Sequence, residues 1–135
     1  MNIVLWVLQI LLAIAFFAHG WLLLSPPLEL VDLLNSLIPP VFRIFLGVAE
    51  VLAAVGLIVP GVTRIQPWLV SCAAAGLLPV MIGATVLHIR RGEVSSAIIT
   101  ALLLVLLAFV AYMRWKVRPT LPRTASKARG HSMVT

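Results

Sequence analysis

The chain has 135 residues, of which 62% are hydrophobic and only 10% are charged, and its mean hydropathy is +1.15. Soluble domains are about 45–50% apolar and about 25% charged, so this composition excludes a water-soluble globular protein. The net charge is +6, and six of the ten basic residues lie in the last 22 positions. Beside a membrane span, such a cluster indicates topology and contact with anionic lipid rather than nucleic-acid binding.

The first predicted membrane span covers about residues 3–24, with Gln9 and His19 as its polar interruptions. A cleaved signal peptide is the alternative, because Ala13-Ile14-Ala15 resembles a cleavage site. The residues before it include no Lys or Arg, and the apolar sequence continues past any cleavage point. We therefore expect a retained transmembrane helix.

An amphipathic segment follows this span. Two prolines, Pro26 and Pro27, end the first helix because proline cannot continue its hydrogen bonds. In residues 28–38, apolar side chains recur at helical spacing, and Glu29 and Asp32 fall on the other face. This pattern predicts a short helix that lies at the membrane surface.

Three more spans are predicted over about residues 41–59, 68–89 and 97–115, with a tight turn beginning at Pro60-Gly61. Spans of this length match the hydrocarbon thickness of a bilayer, and the short connections allow only antiparallel neighbours. The sequence thus predicts an all-α integral membrane protein, an antiparallel four-transmembrane-helix bundle with an interfacial helix between spans 1 and 2. Residues 116–135 are basic and aperiodic, which predicts a disordered cytoplasmic tail.

The distribution of basic residues predicts the orientation. With an even number of spans, both termini lie on one side, together with Arg64 and the basic C-terminal cluster. The other side carries Arg43, Arg90 and Arg91, partly offset by acidic residues. Because positive charge favours the cytoplasmic side, we expect a multi-pass protein of the inner (plasma) membrane with both termini in the cytoplasm.

Four polar side chains in the spans are candidate ligand-binding residues: Glu50, Arg43, His19 and His88. Glu50 is central in its span, where an ionisable group needs a partner or a watery cavity. Arg43 lies almost two turns earlier, on the same helix face. By depth alone, both histidines fall in the same outer half of the bilayer, so that inward-facing side chains would line one cavity.

Each candidate also has a structural interpretation. Glu50 and His19 could each serve only to bond a neighbouring helix, Arg43 can extend to the headgroups, and His88 can be an interfacial residue. Two histidines and a carboxylate could bind a metal ion, but their sequence spacing does not support a metal site.

The second span carries a recognisable motif: Arg43, Leu46-Gly47, Glu50, Ala53-Ala54, Gly56-Leu57 and Pro60. This pattern and the four-span layout over about residues 3–115 resemble the DoxX-like family. The resemblance implies a four-helix membrane fold and links to thiosulfate:quinone oxidoreduction, to membrane oxidoreductase complexes or, in vertebrates, to ion-channel assembly. Relatives often carry a lysine at the end of the first span, where this chain has Ala18-His19-Gly20-Trp21.

Two functional hypotheses follow from these observations. The first is a subunit that binds a quinone or another lipid ligand and is associated with a membrane redox system. No intrinsic cofactor is expected, because the sequence shows no ligand set for haem, flavin or an iron–sulfur cluster. The second is a non-enzymatic assembly factor or accessory subunit that binds a membrane protein partner or a second copy of itself. A transporter is disfavoured because no internal repeat is evident. The sequence leaves open whether the chain is an enzyme.

Overall fold

The computed structural model describes residues 2–117. Over this range the chain forms α1 (Asn2–Leu24), α2 (Leu28–Leu37), α3 (Pro40–Thr63), α4 (Leu69–Arg90) and α5 (Val94–Tyr112), and a π-helical turn (Met113–Val117) continues α5. Four helices, α1, α3, α4 and α5 with its π-helical turn, are long and apolar enough to cross a membrane. The predicted membrane helical bundle is therefore confirmed.

The spanning helices alternate in direction. Three hydrogen bonds between α1 and α3 join Gln9 to Leu57, His19 to Glu50 and Arg43 to Leu23, so the residue numbers fall on one helix as they rise on the other. We call the side of the bundle that holds Asn2 the terminus side and the opposite side the α2 side. The main helix pairs are α1 with α3 and α4 with α5. Contacts between α3 and α4 join the two pairs.

The buried face of α3 explains why α1 and α3 pair. Apart from Pro60, its buried residues recur at alternating steps of four and three, the spacing that keeps one stripe of a helix against a neighbour: Arg43, Gly47, Glu50, Ala54, Leu57 and Gly61. Arg43 and Glu50 share this buried face, as the sequence predicts. The polar groups of α3 thus lie within the contact with α1.

All four spanning helices contribute to one hydrophobic core, which includes Phe16, Leu57, Leu77 and Leu107. Many other apolar side chains point away from the bundle. Leu52 and Ile98, for example, are 65% and 64% exposed. Such a surface is stable in lipid but not in water, so the bundle is a multi-pass membrane protein. No residue of α2 is buried, as expected for a helix lying outside the bundle.

Two predicted boundaries differ from the structure. The expected turn at Pro60-Gly61 is wrong, because α3 continues through Pro60 to Thr63 and ends at Arg64 in the left-handed conformation, φ 56°. Proline removes a single helical hydrogen bond, and the neighbouring residues keep α3 continuous. Helical structure also extends to Val117, into the segment predicted as a tail. Residues 118–135 of that predicted tail lie outside the described residues.

Candidate functional site

Two glycines bring α1 and α3 into backbone contact on the α2 side. A Cβ atom at Gly20 would lie 2.9 Å from the carbonyl oxygen of Gly47 and 3.1 Å from the Cβ atom of Glu50. A Cβ atom at Gly47 would lie 3.0 Å from the carbonyl oxygen of Gly20. Only glycine permits this approach, which lets the short side chain of the adjacent His19 reach Glu50.

The approach produces a His–Glu pair. Nδ1 of His19 lies 2.6 Å from Oε2 of Glu50, a short hydrogen bond across the helix interface. The carboxylate side chain is only 1% exposed, whereas the histidine side chain is 56% exposed. His19 therefore does not point into the bundle interior, contrary to the inward-facing arrangement considered above. Because Gly20 occupies the interior position, His19 lies at the rim of the α1–α3 interface, with its ring accessible from outside the bundle.

Arg43 closes the end of α1 rather than contacting Glu50. Its Nη1 donates a hydrogen bond to the carbonyl oxygen of Leu23. In a continuing helix that oxygen would accept from residue 27, but Pro27 has no N–H group. Arg43 thus satisfies an unpaired carbonyl at the negative end of a helix dipole. Its buried Nε has no hydrogen-bond partner among the described residues.

His88 is paired with Glu93 and does not share a cavity with His19 and Glu50. Its Nδ1 lies 2.6 Å from Oε2 of Glu93, and Arg91 lies 3.2 Å from Oε1 of the same carboxylate. These three residues connect the end of α4 to the start of α5. His88 lies on the α2 side of the bundle, but its hydrogen bond assigns it to this turn and not to the α1–α3 interface.

Comparison with protein-family models decides the relationship that the motif in the second span suggested. A model described as the DoxX-like family matches residues 7–110, more than half of the chain. The chain belongs to the DoxX-like family. Comparisons with curated proteins and with solved structures give no significant match.

Three residues of the DoxX-like motif lie in the α1–α3 contact. Its Arg43, Gly47 and Glu50 are all buried on the α3 face that meets α1. Each has a different task there, since Arg43 binds the end of α1, Gly47 permits the close approach and Glu50 binds His19. These three motif residues therefore form one interface together with His19, whereas Gly56 of the motif faces Ala73 of α4.

Sequence reasoning missed a second polar cluster, on the terminus side of this DoxX-like protein. Nε of Arg114 donates to Oε1 of Gln9 at 2.6 Å, and its Nη1 donates to Oδ1 of Asn2 at 2.9 Å. The guanidinium also lies 5.2 Å from the ring of Trp6, a cation–π contact. Gln9 in turn donates to the carbonyl oxygen of Leu57 at 2.7 Å.

This second cluster ties the end of α5 to α1 and α3 and carries no exposed reactive group, since Gln9 is 0% and Arg114 only 5% exposed. Its signal in the sequence was the glutamine inside the first span, a polar residue that needs a partner in lipid. The partner lies far away in the sequence, so spacing did not identify it. Within residues 2–117, no group of three or more His, Cys, Asp or Glu side chains is placed to hold a metal ion.

Proposed function

We propose that this DoxX-like protein binds the headgroup of a quinone, or of a lipid ligand of similar chemistry, at the His19–Glu50 pair, as a subunit of a membrane redox system. The observation that supports this proposal is the 2.6 Å contact between an accessible imidazole and a buried carboxylate. A half-exposed histidine on the surface of a membrane helix can be reached by a ligand that diffuses in the bilayer. An ionisable residue is costly to place in a membrane, so its presence there favours a functional role.

The pair has the chemistry that a quinone headgroup requires. With Nδ1–H donating to Glu50, the neutral imidazole of His19 offers Nε2 as an acceptor for a quinol hydroxyl. When the ring is protonated, Nε2–H becomes a donor for a quinone carbonyl oxygen. One side chain can therefore bind either form of the ligand and exchange one proton with it. The proposal assigns binding and proton exchange to this chain and electron transfer to its redox partner.

The alternative is a non-enzymatic assembly factor or accessory subunit, and a different observation favours it. On the outward face of α4, Cβ atoms at Gly76 and Gly83 would meet nothing within 4 Å. Small residues on a lipid-facing helix let another membrane helix approach closely. A partner membrane protein that packs on this face would give the chain a function without any bound small molecule.

We further propose that the protein lies in the inner (plasma) membrane with its termini in the cytoplasm. Arg43 is buried against Leu23, so it does not count among the free basic residues of the α2 side. Arg91 on that side is paired with Glu93, which leaves Arg90 as the remaining basic residue there. The terminus side retains Arg64, Lys116 and the basic residues that follow. This asymmetry supports the orientation expected from the positive-inside rule.

Native mass spectrometry of protein extracted gently from its own membranes tests the proposal, with organic extraction to identify retained small molecules. We expect a stoichiometric quinone on the wild type and its loss from Glu50→Gln. The matched control is Glu93→Gln, which changes the other His–Glu pair of the same length, at 2.6 Å, and should retain the ligand.

Three results would contradict quinone binding at this pair. One is equal ligand loss in both variants, and another is full retention in Glu50→Gln. The third is a specific membrane protein that co-purifies in the absence of any small molecule, which would support the assembly-factor function instead. Size-exclusion profiles and melting temperatures of the variants establish that each one is folded.

A further inference from the structure

A groove lies on the terminus side, between the start of α4 and the end of α5. Its volume is about 290 Å³, and its lining residues come from these two helices and the π-helical turn: Ser71, Cys72, Ala75, Ala111, Tyr112, Trp115 and Lys116. The His19–Glu50 pair lies on the α2 side of the bundle, so this groove is a separate feature of the molecule.

The π-helical turn shapes this groove. A π turn adds a residue to a helical turn and so changes the direction of the side chains that follow. Arg114 within it is buried against Gln9, which holds the turn to the bundle. Trp115 and Lys116, the next two residues, are exposed and line the groove instead. The buried Arg114 thus holds in place the turn that carries Trp115 and Lys116, and both of these residues line the groove.

The lining has two chemically distinct parts. Ala75 and Ala111 give the groove an apolar wall that fits a hydrocarbon chain. At the end of α5, Tyr112 and Trp115 are amphipathic rings of the kind that lie at the lipid headgroup level, and the exposed Lys116 beside them carries a positive charge. In the wall, the buried Oγ of Ser71 has no hydrogen-bond partner among the described residues.

We propose that this groove binds one anionic phospholipid, with an acyl chain along the apolar wall and the phosphate at Lys116. An apolar cleft with an exposed cation beside it complements a lipid that has both an acyl chain and a negative headgroup. The sequence after Val117 contains four more basic residues, Arg118, Arg123, Lys127 and Arg129, which favours an anionic lipid near this end of the chain.

Cys72 provides a direct reporter, because it is the only cysteine of the chain, it is exposed and it lines the groove. The experiment uses delipidated full-length protein in a neutral detergent, titrated with phosphatidylglycerol or with phosphatidylcholine of the same acyl chains. The rate of Cys72 modification by an uncharged maleimide is measured at each lipid concentration, and native mass spectrometry counts the bound lipids.

We expect one phosphatidylglycerol to bind and to slow the modification of Cys72, and phosphatidylcholine to have a much smaller effect. Lys116→Gln should weaken phosphatidylglycerol binding about fivefold, the effect of one basic residue near an anionic surface. Arg64→Gln is the matched control: it removes an exposed basic residue on the same side of the bundle but outside the groove, and it should bind as the wild type does.

Several results would overturn the proposal. Equal protection by both lipids would show that the headgroup charge is not recognised, and equal weakening by Arg64→Gln would show a general charge effect. A dimer mass with protected Cys72 and no bound lipid would mean that a second copy of the chain covers the groove. The titration does not involve quinone or Glu50, so its failure would leave the function proposed for the His19–Glu50 pair unaffected.

Discussion

Gly20 and Gly47 hold α1 and α3 so close that a Cβ atom on Gly20 would lie 2.9 Å from the Gly47 carbonyl oxygen. This contact is next to His19 in the sequence and places its ring 2.6 Å from the Glu50 carboxylate. In a membrane, helices associate through van der Waals packing and hydrogen bonds rather than through the hydrophobic effect. The close packing at the two glycines and the His19–Glu50 hydrogen bond therefore both stabilise the α1–α3 contact.

The first prediction concerns this close approach. Gly20→Ala should force α1 and α3 apart, since the nearest atom to the new methyl group is the backbone carbonyl oxygen of Gly47, at 2.9 Å. We expect a loss of about 1–3 kcal/mol in the free energy of unfolding, as for other overpacked sites. Reversible unfolding in mixed micelles measures it. Gly83→Ala is the control, because nothing lies within 4 Å of its Cβ position; equal losses in both variants would show that the backbone contact at Gly20 is not the cause.

The second prediction separates folding from ligand binding at the proposed site. His19→Leu leaves the buried Glu50 without its hydrogen-bond partner and should lower the free energy of unfolding by about 2–3 kcal/mol. The double variant His19→Leu/Glu50→Leu should recover most of that stability, since two apolar side chains of suitable size need no partner.

The ligand should not return with the stability. We expect the His19→Leu/Glu50→Leu protein to be folded but free of the quinone that the wild type retains, as measured by unfolding and by mass spectrometry of the same samples. A double variant that retains the quinone would show that the ligand binds elsewhere. One that remains as unstable as His19→Leu would show that the loss does not come from the unpaired carboxylate.

The sequence predicted the fold well because its signals were local. Span length, hydropathy and the prolines at residues 26, 27, 39 and 40 were enough to locate the four spans and the interfacial helix. Pro60 was the exception: a proline within a helix and one at a turn are alike in the sequence. What distinguishes them is the packing around the helix, for example Gly61 of α3 against the ring of Trp6 of α1.

The candidate site was predicted only in part, because contacts between helices depend on rotation about each helix axis. Depth and face placed Arg43 and Glu50 on one side of α3. The pairing of His19 with Glu50, and of His88 with Glu93, depends on which face each helix presents, and periodicity in a uniformly apolar helix does not reveal that. Arg43 was expected near a ligand or the headgroups, yet its partner is a carbonyl that Pro27 leaves unpaired.

The third prediction tests the cluster that the sequence did not reveal. Gln9 and Arg114 are both buried and hydrogen-bonded at 2.6 Å. In a double-mutant cycle with Gln9→Leu and Arg114→Met, we expect a coupling free energy of about 1 kcal/mol, within the range measured for hydrogen bonds between membrane helices. Lys116→Met, an exposed neighbour, is the control partner for Gln9→Leu and should show no coupling. A coupling free energy near zero for Arg114 as well would mean that this hydrogen bond does not stabilise the bundle.

The fourth prediction concerns orientation. Single cysteines are introduced as Arg64→Cys and Arg91→Cys, and the exposed native Cys72 is first replaced by Ser so that it does not react. Arg64 lies on the terminus side, and Arg91 lies in the α4–α5 turn on the α2 side. A membrane-impermeant thiol reagent added to intact cells should label the Arg91→Cys variant alone, because positive charge favours a cytoplasmic terminus side.

Permeabilised cells provide the control, since both introduced cysteines should then react. Labelling of Arg64→Cys but not of Arg91→Cys in intact cells would reverse the orientation, and the anionic-lipid groove would then face the outer leaflet.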